Sequence, residues 1–213
     1  MGRAPSLCGV ILAAGDSTRM GQDKALLPWP PRQGPARATG ETFLSAAIRR
    51  LGPAVDLVIV VAGVNEPALE PVAYATSAFL VRNPEPGRGQ FSSLQVGLQE
   101  VLNRGRDAAM VTLVDRPPVL EETIEQLRTA FADALDHGKW AVVPEFQGKH
   151  GHPIMIGREL IEVFLKAPHS SSARQIEHQH QARIEYLPVT DPAVAANVNT
   201  PEEYAALLSA RQS

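Results

Sequence analysis

Short apolar runs alternate with helix-length segments along most of this 213-residue chain, and that alternation restricts its fold more than any other feature. Residues 7–13, 57–62 and 109–114 are almost unbroken apolar stretches, with shorter ones at 79–82 and 140–143. Between them, 41–51, 91–102 and 122–135 repeat their apolar side chains at helical spacing. Strands that are apolar on both sides belong in a parallel sheet covered by helices on each face. The pattern predicts a three-layer α/β/α, Rossmann-like sandwich with a mostly parallel sheet, formed as one domain over residues 1–213. The remainder is less regular: strands at 153–156 and 184–188, helices at 159–166 and 170–181. A last helix starts near Pro201, with Thr200 as cap, Pro201 at its first position and Glu203 at its third.

Ligands of such sheets bind at the carboxyl ends of the strands. A loop begins there in Val10-Ile-Leu-Ala-Ala-Gly-Asp-Ser-Thr-Arg-Met-Gly-Gln-Asp-Lys24. Glycines bring backbone N–H groups close to a ligand, where they act as anion donors. Arg19 adds a planar fork and Lys24 a mobile point charge, both suited to phosphate oxygens. The loop therefore reads as a triphosphate cradle. It is not a P-loop, since five residues separate Gly15 from Gly21 and Ala25 follows Lys24. Nor does it have the Gly-x-Gly-x-x-Gly spacing of a dinucleotide fingerprint.

Asp115 closes the run at 109–114, where an unpaired carboxylate is costly to bury. Beside a triphosphate its natural partner is Mg²⁺, which favours one or two carboxylates plus phosphate oxygens. The alternative is a helix cap or an ion pair with Arg116. The Gly15 loop, the loop at 83–93 and Asp115 all follow strands, so the topology gathers them on one edge of the sheet.

Other functions are excluded by composition. A net charge of −3 and a pI of about 6.1 invite neither nucleic acid nor an anionic membrane. No apolar run approaches the ~20 residues of a membrane span, and the first residues lack the pattern of a signal peptide. One cysteine, Cys8, permits no internal disulfide and reads as a small core residue of a cytoplasmic protein. The pair His178 and His180 is a poor metal site, because i and i+2 side chains diverge on a helix. Residues 28–40 contain four prolines with Arg32 and Arg37, and form either a surface insertion or a lid.

The stretch Leu12-Ala-Ala-Gly-Asp-Ser-Thr-Arg-Met-Gly-Gln-Asp-Lys-Ala-Leu-Leu27 resembles the signature of the MobA-like NTP transferases, most nearly their molybdenum cofactor cytidylyltransferase branch. Three later motifs follow in the family's order: Asn83 through Ser92-Ser93-Leu to Gly97-Leu98, Asp115-Arg-Pro117, and Asn197-Val-Asn-Thr-Pro201. The resemblance implies transfer of a nucleoside monophosphate from CTP or GTP to a phosphorylated acceptor such as molybdopterin, with Mg²⁺ and a molybdoenzyme partner. It implies catalytic roles for Arg19, Lys24 and Asp115, and metal ligation by Asp115 and Asn199. Nucleotide contacts fall at Leu12, Ala13, Ala14, Gly15, Ser17, Gly21, Asn83, Gly89, Ser92 and Ser93. His152, in a Gly-His-Pro element, either orients the acceptor or is structural. Ala13-Ala14 resembles the cytidylyl branch and Asn197-x-Asn199 the guanylyl branch; CTP is favoured. The alternatives are a sugar phosphate acceptor or a non-catalytic nucleotide-binding module.

Overall fold

The computed structural model describes residues 5–15, 17, 20–30, 41–168 and 170–209. Arg19 and the stretch 31–40 of the proline-rich segment lie outside the described residues. The strands are β1 (Leu7–Leu12), β2 (Leu57–Ala62), β3 (Phe79–Arg82), β4 (Ala108–Leu113), β5 (Ala141–Phe146), β6 (Lys149–His150), β7 (Ile154–Gly157) and β8 (Ile184–Pro188). The helices are α1 (Phe43–Leu51), α2 (Glu66–Ala75), α3 (Gln90–Asn103), α4 (Glu121–Asp136), α5 (Arg158–Lys166), α6 (Ala173–Gln179) and α7 (Pro201–Ser209). Among the described residues, eight strands join one sheet, in the order β3-β2-β1-β4-β7-β5-β6, with β8 also paired to β5.

Side chains alternate across β1 and build two cores. Leu7 and Ile11 pack with Leu44, Ile48, Leu69, Leu127 and Phe131 of α1, α2 and α4. Cys8, Val10 and Leu12 pack on the opposite face with Leu98, Val101, Leu160, Ile161 and Phe164 of α3 and α5. This is the expected three-layer sandwich. Cys8 is fully buried, and desolvation pushes its thiol up to about 11, so it behaves as a core residue. Among the described residues, no helix is long and apolar enough to cross a membrane.

Two features escape the sequence reading. Helix α2 holds Pro67 in its first turn and Pro71 inside, and only Leu69 and Ala73 are buried. Two prolines and so narrow an apolar stripe conceal a helix from pattern analysis. The second feature is a reversal of direction. β7 runs antiparallel between β4 and β5, and β6 forms a hairpin with β5. The hairpin turns through Gln147 and Gly148, both at positive φ (50° and 76°), the geometry of a tight two-residue turn. The sheet is parallel through β3-β2-β1-β4, the half that carries the cradle.

Candidate active site

The loop after β1 is fixed by its neighbours. Ala13 N–H donates to the Val61 carbonyl at 2.8 Å, and Met20 N–H to that of Ser17 at 2.9 Å. Ser17 and Gly21 adopt positive φ, 51° and 71°, and so reverse the chain. Ser17 Oγ accepts from Lys24 N–H at 3.1 Å, and Asp23 caps the short 3₁₀ turn Lys24–Leu26. Asn65, which sequence reasoning missed, clamps this loop to the one after β2. Its Nδ2 donates to the Ala13 carbonyl at 2.9 Å and to Asp23 Oδ2 at 2.6 Å, while its Oδ1 accepts from Gly63 N–H at 3.0 Å. Its only sequence signal was a polar residue just after an apolar strand.

Lys24, Asp115 and Asn199 meet although they are far apart in the chain. Lys24 Nζ lies 3.2 Å from Asp115 Oδ2 and 2.9 Å from Asn199 Oδ1. Asp115 is carried there by the end of β4. Asn199 is held by Val198 N–H, which donates to the Asp115 carbonyl at 2.8 Å, and by the cap of α7, where Glu203 N–H donates to Thr200 Oγ1 at 3.2 Å. A small apolar cluster of Met20, Leu27, Phe43 and Val198 backs this corner, with Trp29 edge-on to Phe43 at 4.9 Å.

Asp115 Oδ1 is buried and has no hydrogen-bond partner among the described residues. Such an orphan is expensive unless a ligand completes it. One free carboxylate oxygen and one amide oxygen, both hard donors, suit a divalent cation that takes its other ligands from phosphates and water. Among the described residues, no group of three or more His, Cys, Asp and Glu side chains could hold a metal. The site would therefore be shared with a ligand.

These residues open onto a cleft of about 730 Å³ lined by Leu12, Ala14, Gly15, Ser17, Lys24, Gly89, Ser93, Asp115 and Asn199. Asn83 and Ser92 are buried beneath it. Asn83 Nδ2 donates to Ser92 Oγ at 2.8 Å and to Ser93 Oγ at 3.0 Å, and its Oδ1 accepts from Glu85 N–H at 3.0 Å, so it shapes the loop from within. Gly89, at φ 93°, starts α3 and keeps the cleft wall open. A second compartment of about 970 Å³ adjoins the first across Leu12, Gly89, Gln90 and Leu113; its ionisable lining is Arg88, Arg116, Lys149, His150, His152, Arg174 and Glu177. His152 donates from Nδ1 to the Val111 carbonyl at 3.3 Å; desolvation, then Arg116, lower its pKa to about 4, so the ring is neutral at pH 7. Burial raises the pKa of Glu177, against the attraction of His150.

The chain is similar to several characterised and solved proteins. A probable molybdenum cofactor guanylyltransferase of Mycobacterium avium is 30% identical over 99% of this chain and 100% of its own length. A molybdenum cofactor cytidylyltransferase of Escherichia coli is 25% identical over 92% of each chain. The crystal structure of Rv0371c from Mycobacterium tuberculosis shares the fold, with a TM-score of 0.75 at 24% identity over 96% of this chain and 98% of that one; the same protein has been solved with manganese. The family model of the MobA-like NTP transferase domain matches residues 9–184, and with that match the chain belongs to this family of nucleotidyltransferases.

Proposed function

We propose that this nucleotidyltransferase moves a nucleoside monophosphate from an NTP to the phosphate of a molybdopterin-type cofactor and releases pyrophosphate. The observation that carries this reading is the meeting of Lys24, Asp115 and Asn199 at the carboxyl end of the sheet, with Asp115 Oδ1 buried and unpaired. The names of the relatives supply the acceptor: two similar proteins carry molybdenum cofactor in theirs.

In this reading the triphosphate lies against the backbone of the loop after β1, with Arg19 and Lys24 offsetting the charge of its β- and γ-phosphates. Lys24 exchanges its contact with Asp115 for phosphate oxygens. That leaves both oxygens of Asp115 and Asn199 Oδ1 free, and these would hold Mg²⁺, or manganese in its place, which would withdraw charge from the phosphate oxygens when bound. An oxygen of the acceptor phosphate attacks the α-phosphorus in line. The bond from that phosphorus to the α,β-bridging oxygen breaks, and pyrophosphate leaves with the electron pair. No general base is required, since a phosphate monoester with a second pKa of ~6 is already ionised at neutral pH.

In this reading the base would lie against Ala14, Val64, Pro86 and Gly87, which line the same cleft. Ala14 packs against Gly63, whose Cα would carry a Cβ only 2.7 Å from the Ala14 carbonyl oxygen, so this wall cannot retreat. A methyl group on a fixed wall favours the smaller base, and CTP is the donor we assign. The Asn197-x-Asn199 ending and the guanylyltransferase name of the M. avium relative favour GTP. Pyrophosphate release tests the whole reading: the protein is supplied with Mg²⁺, each of the four NTPs, and molybdopterin. Release with CTP that depends on molybdopterin is the expected result. Release with GTP alone would reverse the base assignment, and none with any NTP would contradict the transferase reading.

A further inference from the structure

Arg116 stands where the two compartments meet and has no part in the triphosphate site. It follows Asp115 directly, and the turn that carries both is closed by Arg116 N–H donating to the Leu113 carbonyl at 3.2 Å. Its Nη1 donates to the carbonyls of Val194 and Ala196, at 3.3 Å and 3.1 Å. These bonds anchor a half-buried guanidinium in the wall of the larger compartment. Its Nε is buried without a hydrogen-bond partner, and among the described residues no carboxylate lies within ion-pair distance of it. A guanidinium hydrogen-bonded to carbonyls alone has no direct ionic partner; burial disfavours its charge, and the neighbouring Asp115 offsets that only in part.

The other cations of this compartment are differently placed. Arg88 pairs with Glu85 at 2.8 Å, and His150 lies 3.4 Å from Glu145. Lys149 and Arg174 are exposed at the rim. His152 spends its Nδ1–H on the Val111 carbonyl. Of the cations lining this compartment, Arg116 is the half-buried one beside Asp115 with no carboxylate in contact among the described residues.

We propose that Arg116 receives the phosphate of the acceptor and presents it to the α-phosphorus, which makes it a catalytic residue and the larger compartment the acceptor's. The proposal rests on the transferase reading given above. A planar guanidinium offers paired N–H donors that match two phosphate oxygens, and Nη2 makes no hydrogen bond to any described residue. A phosphate on Arg116 would lie beside Asp115, across the shared wall of Leu12 and Leu113 from the nucleotide. The rest of the acceptor then extends toward His150 and Glu177.

The test needs no identified acceptor. The protein is saturated with Mg²⁺ and a non-hydrolysable CTP or GTP analogue, which fills the cradle, and inorganic phosphate is titrated by calorimetry. Wild type should bind phosphate, Arg116→Gln roughly tenfold or more weakly, and Arg116→Lys in between, as expected when one charge-assisted pair is lost. Equal phosphate affinity in wild type and Arg116→Gln, or none in wild type, overturns the proposal. With molybdopterin as acceptor, Arg116→Gln should raise the acceptor KM about tenfold and leave the nucleotide KM unchanged. A merely structural role through Val194 and Ala196 would disturb Asn199 and move the nucleotide KM as well, which would also overturn it. If wild type turns over no NTP with molybdopterin, the transferase reading fails, and phosphate binding still decides the role of Arg116.

Discussion

Asp115 pairs one oxygen with Lys24 and leaves the other buried and unanswered, an arrangement that weakens the fold and prepares a ligand site. Function and stability should therefore separate at this residue. Asp115→Asn is expected to lower turnover by about 10²- to 10³-fold, in the range of losing one electrostatic stabiliser of a transition state. The same variant should melt no lower than wild type, because it removes a half-solvated carboxylate and keeps an oxygen for Lys24; paired kinetic and melting measurements check both. His152 gives a pH prediction. Its pKa falls from 6.5 to about 4 on folding, so the unfolded chain binds the extra proton between those values. Its contribution to stability is complete above pH 6.5 and is lost as the pH falls toward 4. Melting temperatures across that window should show a loss on acidification that His152→Gln reduces by an amount on the order of 1 kcal/mol.

At the scale of elements, two glycines let neighbouring segments approach. A Cβ at Gly97 on α3 would lie 2.7 Å from Val10 Cγ1 and 2.9 Å from Val61 Cγ2, so α3 presses on β1 and β2 there. Gly97→Ala should cost about 1–3 kcal/mol, the usual cost of overpacking, read as a lower denaturation midpoint. Gly151 faces the Val194 carbonyl, backbone against backbone, and Gly151→Ala should cost more than Gly97→Ala because a carbonyl cannot rotate aside as a valine tip can. The parallel half of the sheet was legible in the sequence because a strand buried on both faces, such as β2, reads as an unbroken apolar run; the predicted bounds of β2, the edge strand β3 and the more distant β8 match the structure. Helix α2 was not, because Pro67 and Pro71 mimic a loop. The strand at 153–156 was legible and is β7, but its antiparallel direction and the two-residue β6 were not, because a Gln-Gly turn and a Gly-His-Pro interruption carry no propensity signal for them. Strand-end topology gathered the Gly15 loop, the 83–93 loop and Asp115 from sequence alone. Asn199 came only from the family motif, since its position depends on Val198 bonding to Asp115 and on the cap of α7. Asn65 and the anchoring of Arg116 depend on contacts between distant segments and left no pattern to read.

On the scale of the whole molecule, the parallel strands deliver the compartment that we assign to the nucleotide, and the reversed strands β6 and β7 wall a larger one beside it. They meet at Leu12, Leu113 and the Asp115–Arg116 turn, so two substrates can approach one phosphorus from separate sides. The wall at Ala14 and Gly63 should set base choice: Ala14→Gly is expected to raise kcat/KM for GTP relative to CTP by about tenfold, the size of effect one methyl group has in a pocket. The central claim is that the α-phosphorus, and not the β- or γ-phosphorus, is attacked by the acceptor. The fate of labelled phosphorus tests it most directly, with CTP or GTP carrying ³²P at the α or γ position, Mg²⁺ and molybdopterin. The account predicts that α-label moves to a molybdopterin-bound nucleotide, γ-label leaves as pyrophosphate, and Asp115→Asn suppresses both. Release of γ-label as inorganic phosphate, with α-label remaining in a nucleoside diphosphate, would contradict it.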